Sequence, residues 1–324
     1  MVTDAGLRAA LTTGLDTPVS PRAEELIRYI TQAFGPSTAA IIHYGSRAQK
    51  SGSRPDSAYD FFVIVDDYEP AFLSFAAQVH PQFGARSAII LSRFLPPSIV
   101  ALTRLPGAGT KDTAKCAVLS LRDLAIACSS DSPDHFTKGR LFQQLQLAWS
   151  RDENARIAVE DAVVAARAGT FEWGAPYLHG RFDVDKYSRT LLATSYAGEI
   201  RPETQSRIDE LAAAQRLAMA EIYGVLLASL EARGFLARHD VEYELTPPPS
   251  ATDAARIESY FRRSKARATM RWVKLIWLYD DWLEYIRQKI GRRAGHVIDL
   301  TPQERRWPWL LLWPKLIRYI SSRR

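Results

Sequence analysis

Cysteine is scarce. Cys116 and Cys128 are the only two in 324 residues, and both sit among apolar neighbours. Two thiols so placed exclude a disulfide framework and a Cys/His cluster with zinc spacing, and they suit a reducing compartment. Long apolar runs are also missing. No window reaches the roughly 18 to 20 apolar residues that span a bilayer. The N-terminus carries Asp4 and Asp16 and no apolar stretch between them long enough for a secretory signal. There is no internal repeat and no low-complexity tract beyond Pro247-Pro248-Pro249. These absences predict a cytoplasmic chain without a transmembrane helix.

What is present points to an ordinary globular protein with a basic bias. The 42 basic and 36 acidic side chains leave a formal charge of +6, which favours phosphate-bearing or anionic partners without naming one. The length allows two domains. Residues 1–19 carry little pattern and are expected to be loose. Ser20-Pro21 opens a helix as cap and first helical residue, and Leu26, Ile27, Ile30 and Phe34 follow at helical spacing. Thr38 to Tyr44 reads as a buried strand. Tyr59 to Val65 reads as a second, its FFVIV apolar on both faces as in a sheet covered on both sides. Ala71 to Val79 is expected to be helical, and Ser87 to Leu91 (SAIIL) a third strand.

From Leu121 to about Arg233 the period becomes helical. LRDLAIAC, GRLFQQLQLAW, ENARIAVEDAVVAARAG and the run from Glu203 to Gly234 are each expected as helix. The triple proline marks a linker or sharp turn. The fold class expected is α+β or α/β, with a mixed sheet in residues 20–118 and a mainly helical domain in 119–246. A basic, aromatic extension covers 250–324.

The segment HYGSRAQKSGSRPDSAYDFFVIVDDY, from His43 to Tyr68, carries the chemistry. Nucleotidyl transfer needs the triphosphate held, charge on the leaving pyrophosphate neutralised and an oxygen aimed at the α-phosphorus. Carboxylate-held divalent metals can supply most of this. A strand, Gly45-Ser46, a polar loop and a strand with Asp60 at its head resemble the layout of polymerase-β-like nucleotidyltransferases. In those proteins the second strand carries Asp-x-Asp, and alternation aims both carboxylates at the same metals. Here position 58 is alanine. Asp66 and Asp67 lie roughly 20 Å down the strand, too far to share an ion. Asp60 is therefore the first candidate catalytic residue and metal ligand, with Asp56 at the loop edge as the second. Substrate phosphates and water can complete a magnesium shell.

YGS followed by YDFFVIVDDYEP is similar to the mitochondrial-type phosphatidate cytidylyltransferases of the translocator assembly and maintenance family. That family also carries a single Asp before an aromatic-aliphatic strand that closes on Asp-Asp. Three further matches follow in order: Lys115 before KCAVLSL, Gly139-Arg140-Leu141, and the run Ser195-Tyr196-Ala197-Gly198-Glu199-Ile200-Arg201, where Glu199 replaces an aspartate. The likeness covers roughly residues 40–205. It implies transfer of CMP from CTP to phosphatidic acid with Mg2+, giving CDP-diacylglycerol and pyrophosphate. On that reading Gly45, Ser46 and Lys115 bind nucleotide phosphates, and Arg201, Ser195 and Tyr196 meet the substrate phosphate. The attacking phosphate oxygen is already anionic, so no histidine need act as base.

The C-terminal end adds an independent signal. Trp309, Leu312, Trp313, Leu316, Ile317 and Ile320 share one helical stripe, with Lys315 and Arg318 off it. With Trp307, these predict a segment at 303–324 that lies on the inner face of an anionic membrane. Arg262, Arg263, Lys265, Arg267, Arg271, Trp272, Lys274 and Trp277 add charge and aromatics ahead of it. Two other readings stay open for the same residues: a stripe docked on the protein itself, and tryptophans stacked on single-stranded nucleic acid. Nucleic acid is not the expected partner. Two other functions also stay open: a soluble nucleotidyltransferase with RNA or a small molecule as acceptor, and a non-catalytic nucleotide- or lipid-binding relative.

Overall fold

The structure is a computed structural model that describes residues 3–49, 51, 57–102, 113–198, 204–278, 301 and 303. The chain begins with α1 (Asp4–Leu11), capped by the Thr3 side chain on the Gly6 N–H. Leu11 and Leu15 are buried, so the N-terminus is not loose as expected. α2 (Pro21–Phe34) starts on the Ser20 cap. Strands β1 (Thr38–Tyr44) and β2 (Tyr59–Val65) match the expected segments. α3 (Tyr68–Gln78) starts three residues earlier than its apolar pattern suggests, on an Asp67 cap.

SAIIL is a helix and not a strand. It lies in α4 (Ala85–Phe94), which buries Ala85, Ala88, Ile89 and Ser92 at helical spacing while Ile90 and Phe94 face out. Four consecutive apolar residues carry no period of their own, and here the flanking residues decide. The third strand is instead β3 (Ser98–Leu102), followed by β4 (Ala114–Ser120). α5 (Leu121–Cys128) follows, capped by Ser120.

GRLFQQLQLAW is the second correction. Its helix stops after one turn, α6 (Lys138–Leu141), and the rest is β5 (Gln146–Ser150). The alternation in QLQLAW is a period-two signal inside an apparently helical run. β5 pairs antiparallel with β1, so the sheet takes its last strand from the segment expected to be wholly helical. α7 (Glu153–Ala168), α8 (Thr170–Gly174), α9 (Val184–Ala197) and α10 (Gln205–Ala232) complete that segment, with a hairpin of β6 (Leu236–His239) and β7 (Glu242–Leu245). α11 (Ala251–Leu278) follows the prolines.

The protein is α+β with a mixed five-stranded sheet of order β3-β4-β2-β1-β5. Only β2 and β4 run parallel; the other pairs are antiparallel. Both faces of the sheet are covered, as FFVIV requires. Phe61, Val63 and Val65 pack with α2, α3 and α4 on one face. Phe62 and Ile64 pack with α5, α6 and α7 on the other. A second core joins α1, α8, α9, α10, the hairpin and Phe261 of α11.

α11 turns much of its basic face inward. Arg267 and Arg271 both reach the Asp134 carboxylate, Arg271 also donates to Pro96 O, and Lys274 donates to Leu95 O at 3.0 Å. These three cations staple the helix to the body of the protein and are not a membrane face. Among the described residues α10 is the one helix long and apolar enough to cross a bilayer, with 44% of that stretch buried within the protein. The tail residues Trp307, Trp309, Trp313, Lys315 and Arg318 lie outside the described residues.

Candidate active site

The alternation of β2 sets the direction of Asp60. It shares a face with Phe62 and Ile64, so it points toward the layer holding α5, α6 and α7 rather than toward α3 and α4. Its cross-strand partner on β1 is Tyr44, and on β4 it is Lys115. Tyr44 ends β1, and the chain turns at Gly45 with φ +80. That turn continues through Ser46, with Gln49 N–H on Gly45 O and Ser51 N–H on Ser46 O, both at 3.0 Å. A β-carbon at position 45 would stand 2.9 Å from Asp60 Oδ2, so the carboxylate lies directly against the turn.

Beside it opens a cleft of about 370 Å³. Gly45, Ser46, Asp60 and Lys115 line it, as the sequence suggested. The opposite wall brings Arg140, Gln143, Tyr196 and Arg207. Lys115 Nζ stands 3.8 Å from Asp60 Oδ1. Arg140 lies over the Phe136 ring at 3.9 Å and donates to Phe136 O at 2.8 Å. Arg207 binds Ser51 O and Glu210, tying the start of α10 to the end of the Gly45 turn. Three cations therefore surround one carboxylate. Burial pushes the Asp60 carboxyl up from its ordinary value, while Lys115 and then Arg140 pull it back down. Such a cleft favours a ligand of several negative charges.

Ser195 and Tyr196 part ways. Tyr196 lines the cleft, and its hydroxyl donates to Gln143 Oε1 at 3.4 Å. Ser195 is buried and does not line it. Its Oγ is 3.1 Å from His135 Nε2 and donates to Gly139 O at 3.4 Å. A β-carbon at Gly139 would stand 2.6 Å from the His135 ring and 2.9 Å from Ser195 Oγ. Gly139 and Ser195 thus pack α9 against the turn that delivers Arg140, and Ser195 positions that turn instead of meeting a phosphate. Asp56 and Arg201 lie outside the described residues.

His43 is a core residue, as its place on a buried strand suggested. Its Nδ1 is 2.8 Å from Gln146 Oε1, and burial holds its pKa down. Both cysteines are buried and free, with burial pushing their thiols up. Sequence reasoning missed Arg207, Gln49 and Gln143. Gln49 and Gln143 meet through an amide pair at 3.2 Å contributed by segments 94 residues apart. No local pattern announces such a contact.

Among the described residues no three His, Cys, Asp or Glu side chains converge on one point. Among the described residues Asp60 is the only carboxylate lining the cleft. The described residues thus offer one anionic ligand plus the Ser46 hydroxyl, which fits a magnesium ion completed by phosphate oxygens and water. No family model matches this chain, and no curated protein matches its sequence.

Proposed function

We propose that the protein is a polymerase-β-like nucleotidyltransferase of the phosphatidate cytidylyltransferase type. It transfers CMP from CTP to phosphatidic acid while held peripherally at an anionic membrane surface. One observation carries the reading: a strand-borne carboxylate, Asp60, against the Gly45-Ser46 turn in a cleft lined by Lys115, Arg140 and Arg207. The nucleotide and lipid identities rest on the ordered motifs from Tyr44 to Arg201. The membrane site rests on the basic, tryptophan-rich tail.

In this reading a phosphatidate oxygen attacks the α-phosphorus of CTP. A new P–O bond forms, the bond to the β-phosphate oxygen breaks, and pyrophosphate leaves with that electron pair. The nucleophile is an anion, so the site needs charge compensation more than a base. The Gly45 turn brings backbone close to the triphosphate, because no side chain stands between them. Lys115, paired across the β2–β4 ladder with Asp60, meets phosphate oxygens on the sheet side. Arg140 and Arg207 meet them from the helical side, where a guanidinium suits bidentate contact. Asp60 would hold a magnesium ion together with the phosphates, and that ion would supply charge neutralisation on the triphosphate.

The test incubates the full chain with labelled CTP, phosphatidate vesicles and magnesium. Labelled CDP-diacylglycerol that vanishes in Asp60→Asn supports the reading. Labelling of an RNA or a soluble hydroxyl instead, or no transfer at all, sinks it. Sedimentation with phosphatidate vesicles, set against neutral phosphatidylcholine vesicles, checks the membrane surface separately.

A further inference from the structure

A second cavity, of about 600 Å³, lies between α11, α8 and the loop that leads into α6. It does not share a lining residue with the first cleft. Lys138, Arg256, Arg263 and Arg267 line it against Asp131 and Glu172. Two of these cations are already engaged: Arg256 with Glu172 at 3.1 Å, and Arg267 with Asp134 at 3.0 Å. Arg263 is exposed and makes no ion pair among the described residues.

Lys138 is the unusual member. It is 7% exposed, yet its ammonium reaches no carboxylate within ion-pair distance among the described residues. It donates to Ser129 O at 2.9 Å and sits 5.5 Å from the centre of the Tyr260 ring. An ammonium has three donors and a full charge, and withdrawing both from water is costly without a counter-ion. A lysine kept there only to hold one loop carbonyl could be exchanged for a neutral donor at less cost. Its place on the wall of a roomy, net-basic cavity gives the charge a use.

We propose that this cavity binds a phosphate-bearing ligand, with Lys138 and Arg263 meeting the phosphate and the Tyr260 ring meeting the group that carries it. The phosphate can belong to a lipid headgroup or to a soluble phosphomonoester. Burial lowers the Lys138 pKa, Glu172, Asp134 and Asp131 pull it partly back up from beyond ion-pair distance, and a ligand anion beside it would favour the charged form further. The same one-turn helix carries Lys138 into this cavity and Arg140 into the first cleft, so the two sites share one element.

The test compares the wild-type full chain with Lys138→Met, Arg263→Ala and, as the reference for the first cleft, Lys115→Met. Two probes are used: glycerol 3-phosphate by calorimetric titration, and phosphatidate vesicles by flotation. Wild type is expected to bind the soluble probe at two sites. Lys138→Met should lose one of them, Arg263→Ala should weaken that same site by about tenfold, or about 1.4 kcal/mol, and Lys115→Met should affect only the other. Loss confined to the vesicle arm also supports the site and identifies a lipid as the source. Arg263 is on the surface, so its variant reports even if Lys138→Met folds poorly. Binding unchanged by both variants in both arms overturns the proposal.

Discussion

The Asp60 carboxylate fills the space that any side chain at position 45 would need, with Oδ2 2.9 Å from the place of a Gly45 β-carbon. The turn and the acid are thereby matched across the β1–β2 ladder. Gly45→Ala must shift the carboxylate and hold alanine at φ +80. The left-handed backbone alone costs roughly 1–2 kcal/mol. Calorimetry should show a modest fall in Tm, and labelled-CTP assays a much larger fall in transfer.

Asp60→Asn keeps the shape and removes the charge. Turnover should fall by about 10³-fold or more, the scale on which electrostatic groups at a reacting phosphate act. Stability should change by less than about 1 kcal/mol, because Asp60 and Lys115 form a long, partly exposed pair. Steady-state kinetics beside urea melts separates the two effects. An active variant would show that the carboxylate does not carry the transfer, and an unfolded one that it is structural.

Lys115 and Arg207 approach the cleft from opposite walls. Neutralising either one, as Lys115→Met or Arg207→Gln, should lower kcat/KM for the nucleotide by roughly 10- to 100-fold, the value of one charge-assisted phosphate contact. Arg207→Gln should also loosen the Gly45 turn, since it loses the bond to Ser51 O at 3.1 Å. Limited proteolysis within residues 46–57 should rise in that variant alone.

Arg167 is completely buried and holds three backbone carbonyls at once: Leu11 and Thr13 of the N-terminal segment, and Gln143 beside the cleft. Arg167→Met would orphan all three acceptors. At about 1 kcal/mol each, the loss should be on the order of 3 kcal/mol in urea unfolding. Lysine at the same position should recover only part, because it lacks the planar fork that reaches several carbonyls together.

Acid should destabilise the fold from about pH 6.5 downward. Burial holds His43 below its ordinary 6.5 and His135 well below it. The unfolded chain takes up protons there that the folded chain refuses, so stability falls as pH falls. Two such groups give a slope of up to about 2.7 kcal/mol per pH unit. Burial raises Asp60, so the folded state takes up its proton before the unfolded chain does as pH falls, and this offsets part of the loss. Urea midpoints at pH 7.5, 6.5 and 5.5 measure the slope, and His43→Gln should remove about half of it.

Much of the site could be read before the fold. β1 and β2 lay open as short apolar runs between turn residues, and Gly45 and Asp60 followed from them, while Lys115 was picked out by the family resemblance. The helix that starts at Ser20-Pro21 was equally plain: the Ser20 side chain accepts the Ala23 N–H of its first turn. SAIIL and QLQLAW were misread because a run of a few apolar residues satisfies either period, and tertiary contacts choose between them. Ser195 was assigned to the substrate by its motif, and the packing of Gly139 turned it inward.

The chain alone determined what depends on near neighbours: where helices start, which strands are buried on both faces, and which acid heads the second strand beside a glycine turn. Those outcomes follow from backbone sterics and alternation, which act over a few residues. Tertiary structure decided everything that needs distant segments to meet. Arg207 came to Ser51, α11 was pinned to Asp134, β5 closed the sheet beside β1, and Lys138 was placed on the wall of a second cavity. Long-range packing is set by the whole core at once, and no local stretch of residues encodes it.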